Sequence, residues 1–384
     1  LKGCYVPLFS SPRYLVVPVR PAHTPLPSRH VFRPRASRPS QRDLIGPPGS
    51  GQFGQQVYLL PTGNIVIHDP AYSTATAANV GAVYLYNHQT GAQISALVGS
   101  SPADAIGSQI TVLSSGDFLI SSPQWTNAAL GVSNAGAITW CSGVTGCDGI
   151  VSASNSLIGT RPFDLFQTWI TVLADGNAVI AAQDWDDPVA DRSNVGAVIW
   201  CAGPADCTGP ISSANALIGT SADDRVGVVT ALPNGGYVIN SRQWDDVDNG
   251  VTNAGASTWC AAAAGCRGVI TRTNSLVGDK ANDYVGWSTY ILENGHYVVT
   301  HYDWLNPNSG PSAERGAVTW CSAEVGCQGV VSAANSLIGA GMGNTGIRAL
   351  QNGSYVVGSS FWRNPVTSAA NAGAVTWCDG NRGC

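Results

Sequence analysis

One eight-residue phrase recurs along the chain and limits the folds open to it. Its fullest copy is Asn371-Ala372-Gly373-Ala374-Val375-Thr376-Trp377-Cys378. It returns as Asn134 to Cys141, Asn194 to Cys201 and Asn253 to Cys260, and with Arg315 ahead of the glycine as Gly316 to Cys321. A first copy, Asn79-Val80-Gly81-Ala82-Val83-Tyr84, lacks the Trp-Cys ending. The phrase glycines therefore recur about every 60 residues, the mark of a repeat protein whose units cannot each bury their own apolar face.

One unit, Asp279 to Gly339, shows the grammar. A polar approach ends at Gly286, and Trp287 to Leu292 reads as a first strand. Glu293-Asn294-Gly295 reads as a tight two-residue-type hairpin turn, and His296 to Trp304 as a second strand. A polar loop, Leu305 to Arg315, precedes the phrase strand, and a fourth strand is expected over Gly329-Val330-Val331-Ser332. No segment carries a sustained 3.6-residue apolar period, and 45 glycines punctuate short β-branched and aromatic runs. The expected fold is all-β, a β-propeller of about six four-stranded blades. Its repeats span roughly 43–99, 100–159, 160–219, 220–278, 279–339 and 340–384. Asp43-Leu44-Ile45-Gly46 matches the close of later repeats, such as Asn155 to Gly159. That scrap can complete the sixth blade and close a ring; the alternative is a fragment of a larger one.

Residues 1–42 stand apart, with eight Lys/Arg, no acid and eight of the 22 prolines. They read as a disordered basic tail or linker. The remaining body has eleven bases against 24 acids, which argues against nucleic-acid binding, since phosphate recognition needs clustered bases. No run of ~18 apolar residues can span a membrane. Without an initiator Met or a signal-peptide layout, and stopping before a fourth strand, the chain reads as part of a longer polypeptide.

Ten of the eleven cysteines form five pairs six residues apart: Cys141/Cys147, Cys201/Cys207, Cys260/Cys266, Cys321/Cys327 and Cys378/Cys384. Each pair brackets a short connection after a phrase strand. Placed opposite each other on adjacent antiparallel strands, the two cysteines of a pair suit a disulfide worth roughly 2 kcal/mol. Zinc would need four converging ligands, whereas each pair stands on its own repeat without a companion His. The disulfide reading implies an oxidising compartment, extracellular or at the cell surface.

A tryptophan closes the second strand in five repeats: Trp125, Trp185, Trp244, Trp304 and Trp362. One Trp per blade commonly packs between sheets, yet these sit beside polar loops, so a sugar-stacking ring is the competing reading. Asp184, Asp186 and Asp187, then Asp245, Asp246 and Asp248, follow two of them; such spacing suits structural Ca²⁺ or solvated turn acids. No other cofactor is implied. Gly49-Ser50-Gly51-Gln52-Phe53-Gly54 matches a dinucleotide fingerprint by letter, but no helix follows. No nucleophile elbow or zinc-protease spacing appears, so no enzyme is expected.

At the phrase and its approach the chain resembles FG-GAP-type repeats, best at Phe53-Gly54 and Gly81 to Tyr86. The pairing of Asn-Ala-Gly-Ala-Val-Thr-Trp with Ser-Ala-Asn-Ser-Leu-Ile-Gly is similar to repeats of large bacterial haemagglutinin-like surface proteins. The resemblance implies an extracellular adhesive propeller; the family's D-x-D-x-D-G calcium loop is missing here. A looser likeness to the sialidase Asp-box lies at Thr252 to Trp259, a turn-forming motif. The functional expectation is a non-enzymatic recognition module binding an unidentified protein or glycan through its loops. A purely structural spacer and a propeller-type glycoside hydrolase are the alternatives.

Overall fold

The computed structural model describes residues 41–306, 315–339, 346–364, 366–369 and 371–384. The expected tail therefore lies outside the described residues but for its last two, as does most of the loop before Arg315. The described chain is all-β, with two three-residue 3₁₀ turns, Pro204–Asp206 and Val247–Asn249, as its helix. Six sheets of three to five strands match the six repeats.

In each sheet the first strand is an edge, hydrogen-bonded on one side to the second. The first strands are Gln56–Leu59, Gln109–Val112, Thr168–Val172, Val228–Ala231, Ser288–Ile291 and Gly346–Ala349. The phrase forms the third strand, Ala137–Cys141 in the second repeat, buried at every position. Small and β-branched residues alternate there, so both faces pack against neighbouring sheets.

Two local expectations need correcting. The hairpin turns hold three residues: Leu292 N–H donates to His296 O at 2.8 Å, with Gly295 N–H to Leu292 O at 2.9 Å. Gly295 has φ 86°, the left-handed position such loops assign to glycine. In the second to fifth repeats the fourth strand is built on the Leu-Ile or Leu-Val pair, Leu157–Ile158, Ala216–Ile218, Ser275–Val277 and Leu337–Ile338, rather than on the Gly-led pair before it. Gly149–Ile150, Gly209–Pro210, Gly268–Val269 and Gly329–Val330 instead run parallel to the fourth strand of the preceding sheet. An Asn explains the reversal. Asn335 Oδ1 accepts Ser332 N–H and its Nδ2 donates to Val330 O, so the chain turns between the two sheets; Asn155, Asn215 and Asn274 repeat the turn.

Sheets pack in chain order. Ile138 and Trp140 of the second repeat share a core with Ala197, Ile199 and Cys201 of the third. Val198 and Trp200 then meet Ala256 and Cys260, and Val318 and Trp320 meet Cys378. One face of each phrase strand thus receives the small-residue face of the next. The phrase glycine permits the contact: a Cβ on Gly196 would lie 2.2 Å from Val226 N, and on Gly255 2.2 Å from Val285 N. Val375 and Trp377 of the sixth sheet keep the same face open, 75% and 58% exposed.

Asp43-Leu44-Ile45-Gly46 forms no strand. Leu44 and Phe53 pack on the outer face of the first sheet, against Ile67, Ala82, Tyr84 and Tyr86. Tyrosines stand there where later repeats carry Thr (Ile199 in the third) and Cys, and Phe53 packs 5.6 Å from Tyr84. Among the described residues, the sixth sheet has three strands and this scrap does not complete it.

Candidate functional site

The loops after the second strands are held by a residue the sequence reading overlooked. Asp104, Asp164, Asp224 and Asp283 are all but fully buried and recur at the period of the repeat. Asp224 Oδ2 accepts Thr220 N–H at 2.6 Å and Ser221 N–H at 2.8 Å, while Oδ1 accepts Asp245 N–H at 2.9 Å. The others repeat the pattern, with Oδ1 reaching Thr126, Asp186 and Leu305. Each carboxylate therefore anchors the residue just after the second-strand tryptophan. Burial pushes the carboxyl groups of Asp164 and Asp283 above their ordinary range, and that of Asp224 to about 6, against the lowering by these N–H donors. The signal was present in sequence as an Asp recurring at near-constant spacing before four of the six first strands.

The tryptophans beside those loops are core. Trp125, Trp185, Trp244 and Trp304 are 4% exposed or less, and Trp362 is half-buried. The phrase glycine donates to the Trp backbone carbonyl, Gly196 to Trp185 at 3.0 Å and Gly255 to Trp244 at 3.0 Å. The rings of Trp125, Trp185, Trp244 and Trp304 lie within apolar clusters, so none of the four offers a face for a sugar. The sugar-stacking reading is corrected for these four.

The acids also have local work. Asp184 pairs with Arg225 at 2.7 Å, and Asp246 pairs with Arg272. Asp186 accepts Asn194 N–H, Asp187 accepts Val189 and Ala190 N–H, and Asp245 accepts Asn253 N–H. Asp248 lies exposed in a 3₁₀ turn. No group of three acids, histidines or cysteines that could hold a metal ion occurs among the described residues.

All five cysteine pairs stand at disulfide distance. The Cα–Cα separations are 5.0 Å for Cys141–Cys147, 5.5 Å for Cys201–Cys207, 5.3 Å for Cys260–Cys266, 5.3 Å for Cys321–Cys327 and 4.8 Å for Cys378–Cys384. Their placement on two adjacent strands is corrected. Cys141, Cys201, Cys260, Cys321 and Cys378 each close a third strand, but Cys147, Cys207, Cys266, Cys327 and Cys384 lie on no strand. A tight turn brings the second cysteine back instead. Gly146 N–H donates to Ser142 O at 2.8 Å, and Gly265, Gly326 and Gly383 close the same turn before Cys266, Cys327 and Cys384. In the third repeat the 3₁₀ turn does this, with Cys207 N–H donating to Pro204 O at 3.2 Å. The bridges brace connections that cover the preceding repeat: a Cβ on Gly265 would fall 2.5 Å from Trp200 Cβ, and on Gly326 2.3 Å from Trp259 Cβ.

Several exposed apolar side chains lie on the first strands. Val57, Leu59, Trp169, Val228 and Ile291 are at least 39% exposed, and Trp287 lies just ahead of its strand. The first strands of repeats two, three and four line one groove of about 690 Å³ with Gln109, Thr168, Trp169, Ile170, Thr171, Gln183, Gly227, Val228 and Val229. A smaller niche in repeats four and five holds Arg242, Gln243, Tyr284, Trp287 and Asp303. There the Trp287 ring is already engaged, with the Arg242 guanidinium 4.1 Å from its centroid and Tyr302 at 5.3 Å. Trp169 has no such partner among the described residues. Its position, seven residues before the turn glycine, carries Gln56, Gln109, Val228, Ser288 and Gly346 in the other repeats.

No helix among the described residues is long and apolar enough to cross a membrane. No curated protein matches the chain. A family described as a repeat of unknown function, DUF5650, matches residues 59–108, 112–168, 172–228, 231–287, 291–345 and 349–384. Its unit starts at or near the end of a first strand and runs to the next, the same period in a shifted frame. With six matches covering most of its length, the chain belongs to the DUF5650 repeat family.

Proposed function

We propose that this chain is a non-enzymatic recognition module of propeller type. It works in an oxidising extracellular or cell-surface setting and binds a protein or glycan through the face made by its first strands. The carrying observation is the exposure of Trp169 and Val228 at equivalent positions of neighbouring edge strands, where they line one groove. Apolar surface gathered in this way favours a partner over water.

Sequential sheet packing and a groove shared by three first strands support the propeller arrangement. Five short-range disulfides support the compartment, since reducing conditions would not maintain them. The likeness to haemagglutinin-like repeats agrees with an adhesive role. The groove lining holds no titratable side chain, so it has no general acid or base to offer.

The test is binding of the immobilised chain to panels of extracellular-matrix proteins and glycans. The double variant Trp169→Ser/Val228→Ser is expected to lose the wild-type signal while keeping its circular dichroism. Undiminished binding by that variant would sink the assignment. A chain that binds nothing on either panel would favour the spacer.

A further inference from the structure

The geometry points to the groove around Trp169 as a subsite for a neutral, unbranched saccharide chain. Trp169 supplies the stacking platform, and Gln109 and Gln183 supply the amides that read hydroxyl groups. This deepens the proposed recognition role and rests on it.

The chemistry of the lining selects the ligand class. Trp169 is 52% exposed on an edge strand and has no aromatic or cationic partner among the described residues, so its indole face is open. Several asparagine amides are engaged in holding the fold: Asn64 and Asn127 donate to Gly143 O and Gly159 O, and Asn234 to Ala323 O. Gln109 and Gln183, like other glutamines such as Gln124 and Gln243, make no side-chain hydrogen bond among the described residues, but these two lie in one groove with Trp169, and the hydroxyls of Thr168 and Thr171 there make none either. A cluster of unengaged amides and hydroxyls beside an open indole matches a pyranose, which has an apolar C–H face and an equatorial rim of hydroxyls.

Charge narrows the class. None of the nine lining residues is ionisable, so a sialylated, sulfated or uronic-acid glycan would meet no cation there. Gly227 keeps room for the reading amide. A Cβ at that position would lie 2.9 Å from Gln183 Cγ, whereas the corresponding residue in the fifth repeat is Trp287. The groove runs across three repeats and has about 690 Å³, inside the ~300–1,000 Å³ range of small-ligand sites. That extent suits a chain of sugars better than a single ring.

The experiment uses the full chain on an array of neutral linear oligosaccharides of glucose, mannose, galactose and N-acetylglucosamine. Acidic glycans and extended peptides are printed alongside, and hits are followed by calorimetry and tryptophan fluorescence. Binding to a neutral series is expected, with Trp169→Ala weakening it at least about tenfold, as removal of a central aromatic anchor does. Gln183→Ala should weaken it too, while Trp377→Ala leaves it unchanged. Absence of neutral-glycan binding overturns the inference, as does binding confined to acidic glycans or unaffected by Trp169→Ala. Peptide or protein binding that Trp169→Ala abolishes, without any sugar signal, would retain the recognition face and discard the saccharide. Loss of both would discard the two together.

Discussion

Replacing Asp224 isolates the device that holds four of the loops after second strands. Its carboxylate is fully buried and accepts three backbone N–H groups, at 2.6, 2.8 and 2.9 Å. In Asp224→Ala all three donors lose their acceptor, at about 1–3 kcal/mol each when left dry. Water entering the space left by the side chain recovers part of this, so a net loss of roughly 3–5 kcal/mol is expected. Asp224→Asn keeps the shape but turns an NH₂ toward at least one N–H donor, and should fall between, at about 1–3 kcal/mol. A repeat array need not unfold in one step, so hydrogen exchange is the better assay. The amides of Thr220, Ser221 and Asp245 should lose protection in both variants while strand Tyr237–Ser241 keeps most of its own. The pH sign follows from the raised carboxyl, about 6 against an ordinary 3.8. The folded chain binds this proton more tightly than the unfolded one. The group's contribution, roughly 3 kcal/mol at most, is therefore complete below pH 3.8 and lost as pH rises through 6. Neither variant should show it. An Asn variant indistinguishable from wild type in both exchange and pH profile would refute the anchor.

Three further outcomes follow from burial and pairing. His301 is fully buried, accepts Gly286 N–H on Nδ1 and meets Thr319 Oγ1 through Nε2, and burial lowers its pKa to about 3. Its neutral form is thus required: stability it supports above pH 6.5 is lost as pH falls toward 3. Between pH 7 and 5 wild type should lose roughly 2 kcal/mol more than His301→Gln in denaturant titrations. Trp185→Ala, in the core, should cost about 3–5 kcal/mol without altering ligand affinity, whereas Trp377→Ala, 58% exposed, should cost less than ~1 kcal/mol. Opening one bridge with Cys260→Ser/Cys266→Ser should cost roughly 2 kcal/mol and raise hydrogen exchange in the loop that covers Trp200, without disturbing the first repeat.

The parts that repeat were the parts most legible in sequence. The phrase announced a buried third strand because alternation of Ala-Thr-Cys with Val-Trp has meaning only when both faces are covered. Cysteines six apart at identical points could only pair locally, and they do. What the spacing did not reveal is that Cys147 and its counterparts reach their partners through a turn rather than a second strand, because five intervening residues allow either path. The Gly-Val strand misled because two residues with strand-like composition can pair with either adjacent sheet, and the Asn turn that decides lies downstream. The second-strand tryptophans misled for another reason: a polar loop on each side suggests exposure, while four of the rings turn into the apolar clusters between sheets. Burial of Asp104 and its counterparts was hidden because a lone acid before a strand looks like any solvated turn residue until its three N–H partners are seen.

Repetition also indicates where function is to be sought. A residue needed for the fold of every unit must recur in every unit, as the phrase glycine does in all six. Such a residue cannot by itself distinguish one repeat from the next or aim a ligand at one place. A binding site on an array of equals has to come from positions where the repeats differ and the backbone does not. Seven residues before the turn glycine is such a position: the six repeats place Gln56, Gln109, Trp169, Val228, Ser288 and Gly346 there, all on the same edge strand. Its side chain contributes little to sheet packing, as the 52% exposure of Trp169 indicates, so the scaffold places few limits on its identity. An indole flanked by an amide on one side and a valine on the other is then a chemical address that the same fold, differently filled, would write elsewhere.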